Sequence, residues 1–194
     1  MKLNNKRTIL VGLAFLSICA FWQMYDSIVP LILTKTFHMN ETFSGAIMAA
    51  DNILALFLLP FFGSVSDKSH SKLGKRMPFI LFGTGCAIIL MNILPLLDNS
   101  YAAQPSGFKT ASFVIVLGLL LVAMGTYRAP AVALMPDVTP KPLRSRANAI
   151  INLMGAVGGI LYLGVAAVLY PNSKTAGLDH VNYQPLFIVV SAIM

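Results

Sequence analysis

The sequence has 194 residues, 57% of them hydrophobic and only 11% charged, with a formal net charge of +7. A water-soluble domain carries about a quarter charged residues, so the solvent for most of this chain is lipid. The charge does not point to nucleic acid, because the cations fall in short clusters between apolar runs and form no basic face with interleaved aromatics.

A helix needs about 20 apolar residues to cross a bilayer. Runs at 8–33, 42–64, 78–97, 111–135 and 147–170 meet that requirement, and a sixth, at 185–194, is too short to cross. The expected fold is all-α, a polytopic membrane helix bundle. The first run follows a basic tail with Lys2, Lys6 and Arg7. It is too long for a cleavable signal peptide and contains an aspartate. Its segment FWQMYDSIVP sets Asp26 one helical turn beyond Trp22, with Pro30 a turn further on. At about 1.5 Å per residue, Asp26 lies roughly 8 Å outward of the run's midpoint. A carboxylate beside an indole suits a sugar, with acceptors for its hydroxyls and a flat apolar face for its ring. The alternative is a snorkelling or structurally paired acid near the outer boundary.

The second run carries Asp51, about 3 Å outward of its midpoint, with Asn52 beside it. Near the midplane a carboxylate can exchange a proton or give its oxygens to a sodium ion; it can equally be a static, hydrogen-bonded acid. The segment GSVSDKSHSKLGKRMPF follows, over residues 63–79. Asp67 stands there at the carbonyl end of a helix, where the macrodipole is already negative. It needs a positive partner, either one of Lys68, Lys72, Lys75 and Arg76 or the amino end of another helix. Gly74 permits a tight turn, and Pro78 suits the first turn of the third helix. The plainer reading is a basic loop that only sets topology.

The fourth run contains GTYRAPAVALMPDV, with Arg128 about 7 Å inward of its midpoint. Arg128 keeps its charge. It suits a fixed counter-ion for an acid, a donor to sugar hydroxyls, or a structural tie. A charge at this depth costs about 2.5–3.5 kcal/mol even on the lenient insertion scale, so Asp26, Asp51 and Arg128 each need protein or water around them. The corner MPDVTPKPLRSRAN then repeats the problem of Asp67 at Asp137. Pro140 and Pro142 stiffen the turn, and Arg144 and Arg146 stand close enough to pair with the acid. On the fifth run Asn148, Asn152, Gly155 and Gly159 make a narrow stripe, with Gly155 and Gly159 as a small-residue pair for close helix contact. Asn152 either joins that packing or faces a cavity.

Cys19 and Cys86 lie inside apolar runs as small packing residues, and His38, His70 and His180 fall in loops without metal-ligand spacing. No metal, no cofactor and no catalytic set is expected, so the chain does not read as an enzyme. Phe37, Tyr101, Phe108, Tyr170 and Tyr183 sit near run ends as interfacial aromatics or as ordinary packing. Ten Lys and Arg fall in the amino tail and the 65–77 and 136–146 loops, against Lys35, Lys109 and Lys174 in the alternate loops. That bias puts the amino terminus in the cytoplasm of a multi-pass cell-membrane protein.

Gly63, Asp67, Gly74, Lys75 and Arg76 resemble the loop between helices 2 and 3 of the major facilitator superfamily. The stretch SDKSHSKLGKRMPFI is similar to the form found in its sugar:cation symporters, especially the sucrose:proton and glycoside–pentoside–hexuronide groups. The resemblance implies a twelve-helix fold in two halves with substrate between them. This chain would be most of the amino-terminal half, cut short in helix 6, and the carboxy-terminal half would be its missing partner. The implied activity is secondary active sugar:proton symport by alternating access. Trp22, Asp26 and Asn152 would meet substrate, Asp51 and Arg128 would serve cation coupling, and Asp67, Lys75, Arg76, Asp137 and Arg144 would gate. For Asp137 and Arg144 a plain surface salt bridge stands beside gating. In the melibiose-type symporters, paired acids fall nearer the loop on helix 2, where this sequence has Ala55 and Leu59; that favours protons over sodium. Helices 1 and 4 would be inverted counterparts, each with a tyrosine, a charge and a proline: Tyr25, Asp26 and Pro30 against Tyr127, Arg128 and Pro130. A lipid or amphiphile carrier, or a non-transporting sensor, on the same scaffold is the alternative.

Overall fold

Apolar helices without surrounding water must satisfy every backbone N–H and C=O internally, which long uninterrupted helices do. A computed structural model of the protein describes residues 5–175 and 177–194. Lys2 lies outside the described residues, as does the side chain of Lys174. The elements are α1 (Asn5–Leu31) with a π-helical turn (Ile32–Thr36), α2 (Glu41–Lys68), α3 (Met77–Ala103) and α4 (Gly107–Val138). A 3₁₀ turn (Lys141–Leu143) leads into α5 (Arg144–Leu169); the one-turn α6 (Asn172–Thr175) and α7 (Gln184–Ile193) complete the order. Five of these helices are long and apolar enough to cross a membrane, and α7 is a shorter apolar helix.

Helix α1 is the axis of the bundle. Half of its most apolar stretch is buried, against none of that of α2. Phe21, Met24, Tyr25, Val29, Ile32 and Leu33 are sealed from its middle to its far end. The closest pairings are α1 with α5 and α3 with α4. Along α5 the buried residues are Ala147, Ile151, Gly155, Gly158 and Tyr162, at helical spacing. Gly158 is the point of closest approach: a β-carbon there would overlap the Leu16 carbonyl oxygen of α1. The small-residue contact is therefore made by Gly155 and Gly158. Gly159, expected in that role, looks toward Gln23 Oε1 at 3.9 Å from where its β-carbon would stand.

Three helices run beyond their expected ends, with consequences for the charged residues; α4 continues to Val138 and so contains Asp137. Helix α2 continues to Lys68, so Asp67 lies within its last turn and the connecting segment shrinks to 69–76. Helix α3 continues to Ala103, past the expected limit at Leu97, and takes Asp98 into the bundle. Pro30, Pro60, Pro95, Pro130 and Pro136 all lie inside helices. After Pro30 the chain widens into the π-helical turn, where the Thr34 hydroxyl donates to the Pro30 carbonyl at 2.8 Å.

Candidate functional site

A narrow cleft between α1, α2 and α4 is lined by Trp22, Asp51, Leu54, Ala55, Leu58, Leu59, Leu121, Gly125 and Arg128. Three helices contribute one polar or aromatic group each. The Arg128 guanidinium carbon lies 5.4 Å from the centroid of the Trp22 ring, a cation–π contact. Across the cleft, Asp51 Oδ1 accepts from the Asn52 side chain at 2.8 Å. Among the described residues no acid lies within ion-pair distance of Arg128, so its direct partner is an aromatic face. Ala55 and Leu59, where the melibiose-type acids would stand, are part of the apolar wall.

Asp26 is exposed one turn along from Trp22, outside the lining of the cleft but within electrostatic reach of the Asp51 charge. Between them in the chain, Tyr25 is buried and its hydroxyl has no hydrogen-bond partner; the Trp22 indole N–H is also buried without one. Trp22 and Tyr25 meet edge to face, with centroids 5.4 Å apart. Two sealed donors beside two acids and a stacked guanidinium form a set suited to a ligand rich in hydroxyl groups. In the sequence Tyr25 stands out only as half of a repeated pattern; its burial is a tertiary fact. Its expected counterpart Tyr127 is fully engaged, within 2.7 Å of the Ser17 hydroxyl and donating to the Ala14 carbonyl at 3.1 Å. Asn152 is exposed on α5 and does not line the cleft.

At the end of the bundle that carries the 69–76 segment, Arg76 holds the charged corner together. It is 8% exposed, and its guanidinium reaches three groups. Nη2 meets Asp67 Oδ1 at 2.8 Å, Nε donates to Asp137 Oδ2 at 2.6 Å, and Nη1 donates to Ser66 Oγ at 3.3 Å. One arginine thus answers two helix-end carboxylates, from α2 and α4. Gly74, at φ 98°, makes the turn that returns Arg76 to the helix ends. Arg144 does not pair with Asp137: it donates to the Thr139 and Pro136 carbonyls, at 3.3 and 2.9 Å, and so caps α4. Arg76, buried in the corner where Arg144 is exposed, is the cation that pairs with Asp137. Lys75 is exposed and lines a surface hollow with Asp67, Arg76 and Asp137.

The sequence profile of the Major Facilitator Superfamily matches residues 11–194. The chain belongs to the major facilitator superfamily. As a superfamily member it is a multi-pass membrane protein, of a family of transporters rather than enzymes. Among curated proteins it is 35% identical to the sucrose transport protein SUC3 of Arabidopsis thaliana over 158 residues, 75% of this chain and 26% of that protein. It is 36% identical to the sucrose transport protein SUT3 of Oryza sativa subsp. indica over 154 residues, 72% of this chain and 30% of that protein. The alpha-ketoglutarate permease of Escherichia coli is 25% identical over 179 residues, 91% of this chain and 38% of that protein. The chain therefore spans about a quarter to a third of the length of the sucrose transport proteins it matches. No solved structure matches it.

Proposed function

We propose that the protein is a secondary active transporter of a sugar, coupled to protons and working by alternating access. The observation that carries this reading is the cleft in which Trp22, Arg128 and Asp51, from three membrane helices, come together. The indole offers an apolar face to a sugar ring, and Asp26 and Asp51 offer acceptors to its hydroxyls; the Trp22 N–H and the Tyr25 hydroxyl, buried without partners, become donors to sugar only when the helices part. Asp51, near the midplane with an acceptor still open, takes the coupling proton. Arg128, unpaired with any acid among the described residues, supplies fixed positive charge and sugar donors. The Asp67–Arg76–Asp137 tie belongs to the gate, with Lys75 and Arg144 at its margin. The likeness to sucrose transport proteins supports a sugar as the substrate.

The test is proton uptake into proteoliposomes containing the complete product of the gene, on addition of sucrose and of other sugars. Sugar-dependent proton entry is the expected result. Sugar entry without proton movement removes the coupling, and entry of alpha-ketoglutarate alone removes the sugar.

A further inference from the structure

Asp98 is a further acid within the helices, and the cleft does not use it. It lies in α3 three residues after Pro95 and is 0% exposed. The Thr36 hydroxyl lies beside its carboxylate, but neither oxygen has a hydrogen bond of good geometry. The nearest cationic candidate is His180, before α7, whose Nδ1 is 3.8 Å from Asp98 Oδ2. The same Nδ1 lies 3.2 Å from Thr36 Oγ1, in the π-helical turn after α1.

The neighbours fix the imidazole. Asn99 donates through Nδ2 to Asn182 Oδ1 at 3.0 Å, which turns its own Oδ1 toward His180 Nε2, also at 3.0 Å. Nε2 therefore carries a hydrogen, and any further proton goes to Nδ1, on the side of Asp98. Asn182 Oδ1 also accepts from the Gln184 N–H, and the Asn182 carbonyl accepts from the Tyr170 hydroxyl at 2.7 Å. The node thus ties the ends of α1, α3 and α5 to the start of α7, opposite the Arg76 corner. Tyr183 is the other titratable group that faces Asp98; burial and then that carboxylate hold its hydroxyl above the usual range, so it stays neutral. Of the described cations at this end, Lys35 is exposed and the Lys109 ammonium is taken by the Ser100 and Gln104 carbonyls.

We infer that Asp98 and His180 form a one-proton binding site, and that the shared proton fastens this end of the bundle shut. A sealed carboxylate without hydrogen bonds is costly as a bare anion. It holds either the proton itself or an imidazolium beside it, and both forms contain one proton. A second proton would leave a positive charge without its counter-ion. This site is separate from the cleft, so its test does not depend on sugar transport.

The pH dependence follows from counting protons. The closed node holds one. Opened to water, an ordinary carboxyl and imidazole titrate near about 3.9 and about 6.5, so together they hold one proton between those values and none above. Opening is therefore insensitive to pH from about 4 to about 6.5, and increases about tenfold per pH unit above that until the closed pair also deprotonates. Removing His180 leaves the sealed Asp98 protonated alone, so the rise begins near about pH 4. Removing the carboxylate takes the counter-ion away from the closed imidazole, so under this assignment a proton on His180 favours the open form. Opening then falls as pH rises toward about 6.5, the opposite slope.

The experiment is amide hydrogen exchange in lipid nanodiscs on the complete gene product, reading peptides over 98–104 and 178–186 and corrected for the intrinsic pH dependence of exchange. The wild type, His180→Gln and Asp98→Asn are expected to give the flat-then-rising, early-rising and falling profiles respectively. A pH-independent wild type, or an Asp98→Asn profile with the wild-type slope, overturns the assignment. If Asp98→Asn does not fold, His180→Gln decides: an onset unchanged from wild type overturns it.

Discussion

On the proposed function, Tyr25 and Tyr127 divide a hydroxyl held for binding from one held for folding. A buried hydroxyl with no partner contributes nothing to the folded state and costs about 1–3 kcal/mol of desolvation. Tyr25→Phe is therefore expected to melt at or above the wild-type temperature in detergent, while sugar affinity falls by about tenfold, the weight of one hydrogen bond. The same change at Tyr127, whose hydroxyl serves Ser17 and Ala14, is expected to lower the melting temperature instead. Thermal melts and sugar titrations of both variants check the contrast. Asp51 is the other decisive residue. With Asp51→Asn the hydrogen bond from Asn52 can be kept, but a proton can no longer be carried. Sugar exchange across vesicles is expected to persist and proton-driven accumulation to be lost; accumulation at the wild-type level would remove Asp51 from coupling.

At the level of elements, the contact between α1 and α5 shows how far helical spacing can be read directly. The stripe of small residues on α5 was visible in the sequence, but both Gly158 and Gly159 were available to it. Which one meets α1 depends on the rotation of the whole helix, set by Ile151 and Tyr162 as they enter the core. The energetic consequence is testable. Gly158→Val drives methyl groups into the Leu16 backbone, which cannot rotate away, and is expected to exceed the about 1–3 kcal/mol of ordinary overpacking. Gly159→Ala meets only ordinary contact and is expected to be near neutral; melting temperatures of the two variants distinguish them. Asp98 was hidden for a related reason. An apolar run reads as ending at the first charge, yet α3 continues past Asp98, whose buried carboxylate meets a polar node formed by residues distant in sequence, Thr36 and His180. Composition marks where lipid is the solvent; it does not mark where protein replaces lipid.

For the molecule as a whole, the two ends of the bundle are held by different chemistry, and the middle of α2 by very little. Only Ser44 and Ser66 of α2 are buried, and large apolar side chains such as Phe57 and Phe61 remain exposed along it. Its firm attachment is the corner where Arg76 receives Asp67 from its last turn and Asp137 from α4. The charge pattern of that corner was legible in the sequence, because a helix-end aspartate followed by a glycine turn and cations has few other uses. The choice of Arg76 over Lys75 or Arg144 was not, since it depends on which side chain the turn at Gly74 directs inward. Arg76→Ala is expected to raise amide exchange first in the carboxy-terminal half of α2, before any change in α1 or α5. Asp67 and Asp137 are about half exposed, so water offsets part of the loss, and the cost is expected to fall below the about 3–5 kcal/mol of breaking a fully buried pair. Arg76→Lys keeps the charge but cannot fork between two carboxylates and a hydroxyl, and is expected to restore only part of the protection. Equal exchange in α2 for wild type and Arg76→Ala would mean that the corner does not anchor this helix. If α2 alone is released, the corner is a local fastening that can open while the α1–α5 and α3–α4 pairings stay intact, which is what a gate built on rigid helices requires.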